Sequence, residues 1–446
     1  MSIIKHQVVV IGGGTGGIMT AAQLKRARKS LDIVIIDPTD KHYYQPANTL
    51  VGAGLMKMYQ TIREEKKLIP NGVEWIKEYV DDIDPGNNKV ILRNGDEIEY
   101  EYLVAAPGIQ VNLDGIKGLK EAYGKKGVCS NYVDPEYTWE VLKNFHGGNA
   151  LFTQPASPIK CPGAPQKIMY LAADYLESKN LQDHTNVIFA TPGTVIFGVQ
   201  PFRDELENYL LKYNIKQRYG YKLVEVDGEK KEAHYVRLEL PQDNEYIVND
   251  ERNAAGCLGY VWEGDVRRVV QEVNSPFHMI KEGTHYIIKY DMLHLAPPLS
   301  APDWFQKTKL ANPDGVNKGW MGVDKNSMQS VYYPNVFGVG DVTDLPTART
   351  GAAIRKQAPV VVNNMLRLMD GKAADCRNYK GYSSCPLVVS HNKMLLAEFG
   401  YDGARMSDPL LSMFFNTAKA SYPMWILKRY GLPFMYWNLM MKGYNF

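Results

Sequence analysis

Cysteine is scarce in this sequence: there are five in 446 residues, at Cys129, Cys161, Cys257, Cys376 and Cys385. That number excludes a disulfide-stapled scaffold, and no two of them have the CxxC spacing of a structural zinc site, so no metal is expected. Long hydrophobic runs are missing too. Although 45% of the residues are hydrophobic, nowhere do the roughly eighteen consecutive apolar residues of a spanning helix occur. The formal charge of +2 offers no electrostatic footprint for nucleic acid. The opening MSIIKHQVVVIGGG passes into a strand at once and leaves no room for the parts of a leader, so neither a secretory signal nor a transit peptide is expected. A chain of this length exceeds one ordinary core and should fold as two or three domains.

The run 7–11, QVVVI, is short, continuous and β-branched, the pattern of a parallel strand buried on both faces. Gly12, Gly14 and Gly17 follow in GxGxxG spacing, and residues 18–28 have the composition of a helix packed on a sheet. The glycines permit a tight turn and close approach to a pyrophosphate, while the helix N-terminus offers free N–H groups. A second strand, 32–36, ends at Asp37, placed to accept the ribose hydroxyls of an adenosine. This unit alone does not separate FAD from NAD. Far down the chain, PNVFGVGD leads to Gly340 and Asp341 and then to a helix-like stretch, 351–367. It resembles the second FAD signature of the flavoproteins with two dinucleotide-binding domains, in which the acid bonds the ribityl chain. EYLVAAPG, with Ala106 and Gly108, resembles the same superfamily's crossing beside the flavin. Three motifs in this order point to FAD.

Relatives of that architecture that oxidise NADH carry a second glycine fingerprint in the middle domain. Here the strand 185–190 is followed by TPGTVIFG, in which Pro192 and the bulky Val195, Ile196 and Phe197 stand where glycines are needed. The middle domain is expected to keep the fold without a nicotinamide site, so the electrons must enter elsewhere.

Cys161 lies in a proline-rich loop that opens a helix, where a dipole and Lys160 would favour a thiolate. Lys160 reads equally as an exposed loop charge. Cys385 reads as a loop residue before the apolar Val388 and Val389. Taken singly, each cysteine is more simply a small buried hydrophobe. KCPGAPQK around Cys161, YSSCPLV around Cys385, HYYQPANTLVGAG from His42, YPNVFGVGD before the second acid and PFMYWNLMMKGY near the terminus together resemble sulfide:quinone oxidoreductase, particularly the branch of the animal mitochondrial enzymes.

The resemblance implies that Cys161 and Cys385 are the redox pair. Hydrosulfide would open their disulfide, with the persulfide on Cys385 and the Cys161 thiolate directed at FAD. It also implies hydrogen sulfide and a quinone as substrates, and a sulfur acceptor of the sulfite, thiol or polysulfide kind. Some relatives carry a third cysteine where Cys129 stands, with a varying role. Cys257 and Cys376 match no motif. His294, before a Pro-Pro pair, reads as a proton carrier near the flavin or, more simply, as a satisfied core residue. Against the animal-like members, residues 241–284 form an insertion expected to be an exposed excursion.

After Asp408 there is no acidic residue, and Lys419, Lys428, Arg429 and Lys442 stand among many aromatic residues. Two short helices broken at Gly431 and Pro433 could seat these rings in a membrane interface with the cations on lipid phosphates, or pack on the protein's own core. With the resemblance, monotopic attachment to a respiratory membrane, plasma or mitochondrial inner, is the expectation, with Phe415, Tyr436 and Trp437 lining the quinone pocket. The family leaves room for a homo-oligomer. The expected fold is α/β, with two Rossmann-like domains of the FAD/NAD(P)-binding type and a C-terminal amphipathic membrane-attachment segment. Residues 1–110 and 311–380 would surround FAD, 111–310 would form the second domain, and 381–446 would carry the second cysteine and the membrane and quinone region. The competing readings are a type II NADH dehydrogenase and a non-catalytic flavin-binding protein.

Overall fold

A computed structural model of the chain describes residues 3–238, 256–263, 266–274, 279–375 and 379–445. The β-branched run forms the centre of β1 (Ile3–Ile11), where Val8, Val9 and Val10 are fully buried. The chain turns through residues 12–14 into α1 (Thr15–Ala27) and returns as β2 (Ile33–Ile36), parallel to β1 with Ile11 opposite Ile36. An excursion follows, made of β3 (Lys41–Tyr43), α2 (Asn48–Gly52) and β4 (Ile62–Glu64), with β3 and β4 paired antiparallel. Next come β5 (Glu74–Ile76), β6 (Val80–Asp84), β7 (Lys89–Leu92) and β8 (Glu97–Ala105), giving a sheet ordered β5-β2-β1-β8-β7-β6.

Two glycines make the turn into α1 possible. Gly12 has φ +98°, and a Cβ there would strike the Ala106 carbonyl; a Cβ on Gly17 would strike the Gly12 carbonyl, so helix and strand lie flush only because both are bare.

A second sheet follows the crossing strand β9 (Gln110–Val111) and α3 (Leu119–Ala122). It is built from β10 (Val128–Cys129), α4 (Pro135–Lys143), β11 (Gly148–Thr153), α5 (Ala164–Ser178), β12 (Thr185–Thr191), α6 (Phe202–Lys212) and β13 (Lys216–Tyr219). Then come β14 (Tyr221–Asp227), β15 (Glu232–Arg237), β16 (Gly256–Glu263), β17 (Val266–Asn274), β18 (Ile280–Glu282) and β19 (His285–Lys289). Of these, β14, β15, β19 and β18 make an antiparallel layer, and β16 pairs only with β17 among the described residues. Within the expected insertion at 241–284, residues 241–255, 264–265 and 275–278 lie outside the described residues, as does Cys376. β20 (Met292–Leu295) then enters between β10 and β11, completing an all-parallel sheet ordered β10-β20-β11-β12-β13.

The chain returns through β21 (Leu299–Ser300), paired with β9, and α7 (Asp303–Gln306) to β22 (Val336–Gly338), which pairs in parallel with the last three residues of β8. α8 (Gly351–Met369) leads to the hairpin β23 (Ser383–Ser390) and β24 (Lys393–Phe399). Cys385 therefore lies within a strand, not in the loop expected for it; the alternating partners on β24 carry it into the core although Pro386 follows. The tail holds α9 (Pro409–Phe414), α10 (Tyr422–Ile426) and α11 (Leu432–Asn438). The helix is not broken at Gly431 and Pro433 as expected. A π-helical turn, Leu427–Gly431, joins α10 to α11 without a gap, and its wider hydrogen-bond loop accommodates a proline that has no N–H.

Gly17→Ala is expected to cost about 3 kcal/mol of stability, the upper end for overpacking, whereas Gly14→Ala, whose Cβ meets open space, should cost less than about 1 kcal/mol. Urea unfolding curves that give equal midpoints for the two variants would contradict this reading of the turn.

Candidate active site

The dinucleotide cradle sits at the carboxyl ends of β1 and β2. The first N–H groups of α1 have no side-chain cap at Gly14, and nothing lies within 4 Å of the place a Gly14 Cβ would take. Such an open, positive helix terminus suits a pyrophosphate. Asp37 Oδ2 accepts the Gly13 N–H at 2.7 Å and Oδ1 accepts the Thr39 N–H at 2.8 Å, which fixes the carboxylate beside the turn. Ala106 N–H donates to the Ile11 carbonyl at 2.9 Å, and Gly108 turns with φ +73°. At the second acid, Gly340 has φ +79° and its N–H donates to Gln357 Oε1 at 2.9 Å. Burial raises the Asp341 carboxyl above its ordinary range, opposed by the nearby Lys160 and Arg349. Arg349 Nε donates to the Asp341 carbonyl at 2.8 Å. Bare glycines, unfilled helix N–H groups, the fixed Asp37 carboxylate and the buried Asp341 fit a dinucleotide such as FAD.

The two cysteines, 224 positions apart, meet beside this cradle with their sulfurs 3.8 Å apart. Cys161 precedes α5 in a left-handed conformation, φ +46°, which is strained for a residue with a Cβ. Its N–H donates to the Arg349 carbonyl at 2.7 Å, and its carbonyl accepts from Ala164 N–H at 2.8 Å and from the Tyr132 hydroxyl at 3.2 Å. Cys385 approaches from β23 over Gly163, where any Cβ would collide with its sulfur and with Leu387.

Lys167, in the first turn of α5, donates to Cys161 Sγ at 3.0 Å and is almost wholly buried. The hydrogen bond from Cys385 and the adjacent Lys167 charge hold the Cys161 thiol well below its usual range, against the effect of burial. Cys385 is pushed the opposite way by Cys161 and by burial, so it keeps its proton. Burial alone would lower Lys167, but the two sulfurs hold it above the ordinary lysine range. A second lysine, Lys428 from the π-helical turn, is 1% exposed and donates to the Pro46 carbonyl at 2.7 Å. Burial and then the Lys167 charge bring it down to about 7.

Several expected residues stand elsewhere. Lys160 does not touch the thiolate; its ammonium donates to Gln45 Oε1 at 2.7 Å, because a residue preceding the left-handed Cys161 points away from the sulfur. Lys428 is not a lipid-facing cation but lies inside the protein, and Lys419 is paired with Glu205 at 2.9 Å. Cys129 is fully buried in β10 with its thiol pushed up to about 12 by burial, which suits packing and not nucleophilic attack. His294 is fully buried, accepts the Asn131 N–H on Nε2 at 3.1 Å and is driven down to about 3 by burial, so it is no proton carrier near neutral pH. Tyr436 is buried with its hydroxyl 2.7 Å from Thr15 Oγ1, and Trp437 stands edge-on to it. Phe415 is exposed, with no ring contact to either among the described residues.

Lys167, Lys428, Gly163 and Tyr132 escaped the sequence reading. Lys167 had a local signal: it sits six residues after Cys161, where the first turn of a helix folds back over the preceding loop. Lys428, beside Arg429, read as one of the tail's lipid-facing cations. After β12, Ile196 is buried, its carbonyl accepts from the Gln166 side-chain amide, and Phe197 packs edge-on to Phe202 and Phe399. That turn is filled by its own side chains.

Residues 6–140 match the family model described as pyridine nucleotide-disulphide oxidoreductase. The mitochondrial sulfide:quinone oxidoreductase of mouse is 36% identical over 98% of this chain and 87% of its own length. That of Dictyostelium discoideum is 36% identical over 98% of this chain and 86% of its own. The solved sulfide:quinone oxidoreductase of Aquifex aeolicus superposes with a TM-score of 0.74 over 98% of this chain and 92% of that one, at 19% identity, and shares the fold.

Lys167→Met should move the pH profile of Cys161 alkylation by iodoacetamide upward by at least about one unit, since an adjacent cation lowers a thiol by roughly that much or more, while Lys160→Met leaves it in place. The reverse pattern would return the thiolate's support to Lys160.

Proposed function

The chain belongs to the sulfide:quinone oxidoreductase family, and we propose on that basis that it oxidises sulfide at Cys161 and Cys385 and delivers the electron pair through FAD to a quinone. The observation that carries the site assignment is the pair of sulfurs 3.8 Å apart with the buried Lys167 on one of them. Closing to the roughly 2.05 Å of a disulfide needs only a small shift of two side chains.

In the oxidised enzyme, hydrosulfide attacks Cys385 Sγ. The new S–S bond makes Cys385 a persulfide, the Cys161–Cys385 bond breaks, and Cys161 leaves as a thiolate. Lys167 stabilises that leaving group, and a lower leaving-group pKa speeds thiol exchange. Transfer of the outer sulfur to a nucleophilic acceptor returns Cys385 to a thiolate, and re-formation of the disulfide releases two electrons. Bound FAD would take that pair from the cysteines and pass it to the quinone. Gly163 leaves room for the Cys385 sulfur, and Tyr132 and Arg349 fix the strained Cys161 backbone. The filled turn after β12 disfavours NADH as the donor.

The tail supports attachment at a membrane surface. Leu410, Met413, Phe414, Phe415, Tyr430 and Phe434 are exposed together on α9, the π-helical turn and α11, and among the described residues no helix is long and apolar enough to cross a membrane. Rings at such a face suit the interfacial layer. We read it as the respiratory-membrane face where the quinone enters, with Phe415 at the mouth. We read the acceptor as a small nucleophile, sulfite, a thiol or polysulfide. The first domain is taken as 1–110 with 311–380, which the pairing of β22 with β8 supports; 111–310 and 381–446 make the other two regions.

Anaerobic stopped-flow absorbance tests this reading. Sulfide should bleach the flavin rapidly in the wild type and not in Cys161→Ser or Cys385→Ser; bleaching by NADH instead would make the protein an NADH dehydrogenase. Lys428 is protonated below about 7 and adds positive charge beside the leaving thiolate, and it loses that charge above. At a constant hydrosulfide concentration the bleaching rate should therefore fall as pH rises through 7, and Lys428→Met should abolish that inflection and lower the rate at pH 6 about tenfold, the equivalent of one pKa unit. An unchanged profile in Lys428→Met would remove the lysine from the reaction.

A further inference from the structure

The tail does more than present apolar rings outward. After α11 it runs back along α1, the helix whose N-terminus faces the dinucleotide. Gly443, at φ +71°, lies so close to Ala22 and Gln23 that a Cβ would meet their backbone at 2.7 Å. Asn445 Oδ1 accepts from Gln23 Nε2 at 2.6 Å, and the Arg26 guanidinium lies 3.8 Å above the Tyr444 ring.

At the N-terminal end of α1 the contact becomes a buried polar chain. The Tyr436 hydroxyl lies 2.7 Å from Thr15 Oγ1 and 2.6 Å from His42 Nε2, and His42 Nδ1 lies 3.1 Å from the Gly13 carbonyl. Tyr436 and His42 are 3% and 4% exposed. With the imidazole proton on Nδ1, one direction runs through the whole chain. His42 donates to Gly13, Tyr436 donates to His42, and Thr15 donates to Tyr436. Glu65, 1% exposed and 3.3 Å from His42, and the rings of Tyr44 and Trp437 close the site against water. Gly13 and Thr15 flank Gly14, the one position of the turn that opens onto free space.

We propose that Tyr436 is a positioning residue for FAD: by bonding Thr15 and His42 it holds the phosphate-binding turn in shape, so that docking of the C-terminal segment and retention of FAD are coupled. The inference rests on reading the N-terminal turn as the FAD site. Without the hydroxyl, His42 Nε2 and Thr15 Oγ1 lose a partner, the buried His42 where solvent does not replace it, and the turn can rotate its carbonyl toward the phosphates. Coupling of this kind is reciprocal. Loss of FAD should loosen the tail, whose outward rings Tyr430 and Phe434 belong to the same helical run.

The test compares purified full-length wild type, Tyr436→Phe, Thr15→Val and the double variant. FAD release is followed by the rise of free-flavin fluorescence on dilution, and melting temperature is measured with and without FAD. The expected result is about a tenfold weaker hold on FAD in Tyr436→Phe, a double variant no worse than the poorer single one, and a smaller fall in melting temperature for the FAD-free protein than for the FAD-bound one. Limited proteolysis should cut the wild-type tail faster after FAD is stripped. Wild-type FAD retention in Tyr436→Phe, or an equal fall in melting temperature with and without FAD, would overturn the coupling while leaving the FAD site standing. Wild-type protein that binds no flavin would overturn the site and the coupling together.

Discussion

A buried ammonium on a partly buried sulfur organises this protein. Lys167 could not be held alone in an apolar interior, since an isolated buried charge costs several kcal/mol even after relaxation. At 3.0 Å each relieves the other, and the surrounding architecture follows from keeping them there. α5 brings Lys167 round one turn from the loop that carries Cys161. The left-handed backbone at Cys161, held by Arg349 and Tyr132, aims the sulfur at Cys385. β23 supplies that partner from the far end of the sequence, and Gly163 leaves it room. The result is an unequal pair, one sulfur held as a thiolate and the other keeping its proton.

The C-terminal segment reaches both halves of the machinery. Lys428 points inward from the π-helical turn, while Tyr436, two turns on, closes over the turn that faces the dinucleotide. The same run presents Tyr430 and Phe434 to the outside. One short helix thus joins the surface where a quinone would arrive to the sulfur pair and to the cofactor turn. A widened turn at Leu427–Gly431 allows it, since a regular helix has no place for the missing N–H of Pro433.

The parts of the fold set by local rules were legible. β-branched runs, bare turns and an acid at a strand end announce a nucleotide-binding unit, because each demand is met within some thirty-seven residues. The redox pair was legible only through resemblance, since nothing in the spacing of Cys161 and Cys385 brings them together. Lys160 was considered because it adjoins Cys161 in sequence, and Lys167 was not, although the first turn of α5 brings it onto the sulfur. Lys428 read as a surface cation and Tyr436 as a quinone-pocket residue because charge and aromaticity do not report which face of a helix is turned inward. His294 and Cys129 look reactive as letters, but neither touches the sulfur pair, and burial lowers the imidazole and raises the thiol.

The unequal roles of the two sulfurs are the central claim, and one measurement addresses them directly. Oxidised enzyme is mixed anaerobically with one equivalent of sulfide without an acceptor, quenched with an alkylating reagent and digested, and the peptides carrying Cys161 and Cys385 are weighed. An extra sulfur on the Cys385 peptide, with Cys161 alkylated directly, is the expected result. An extra sulfur on Cys161, with Cys385 alkylated as the free thiolate, would contradict the assignment.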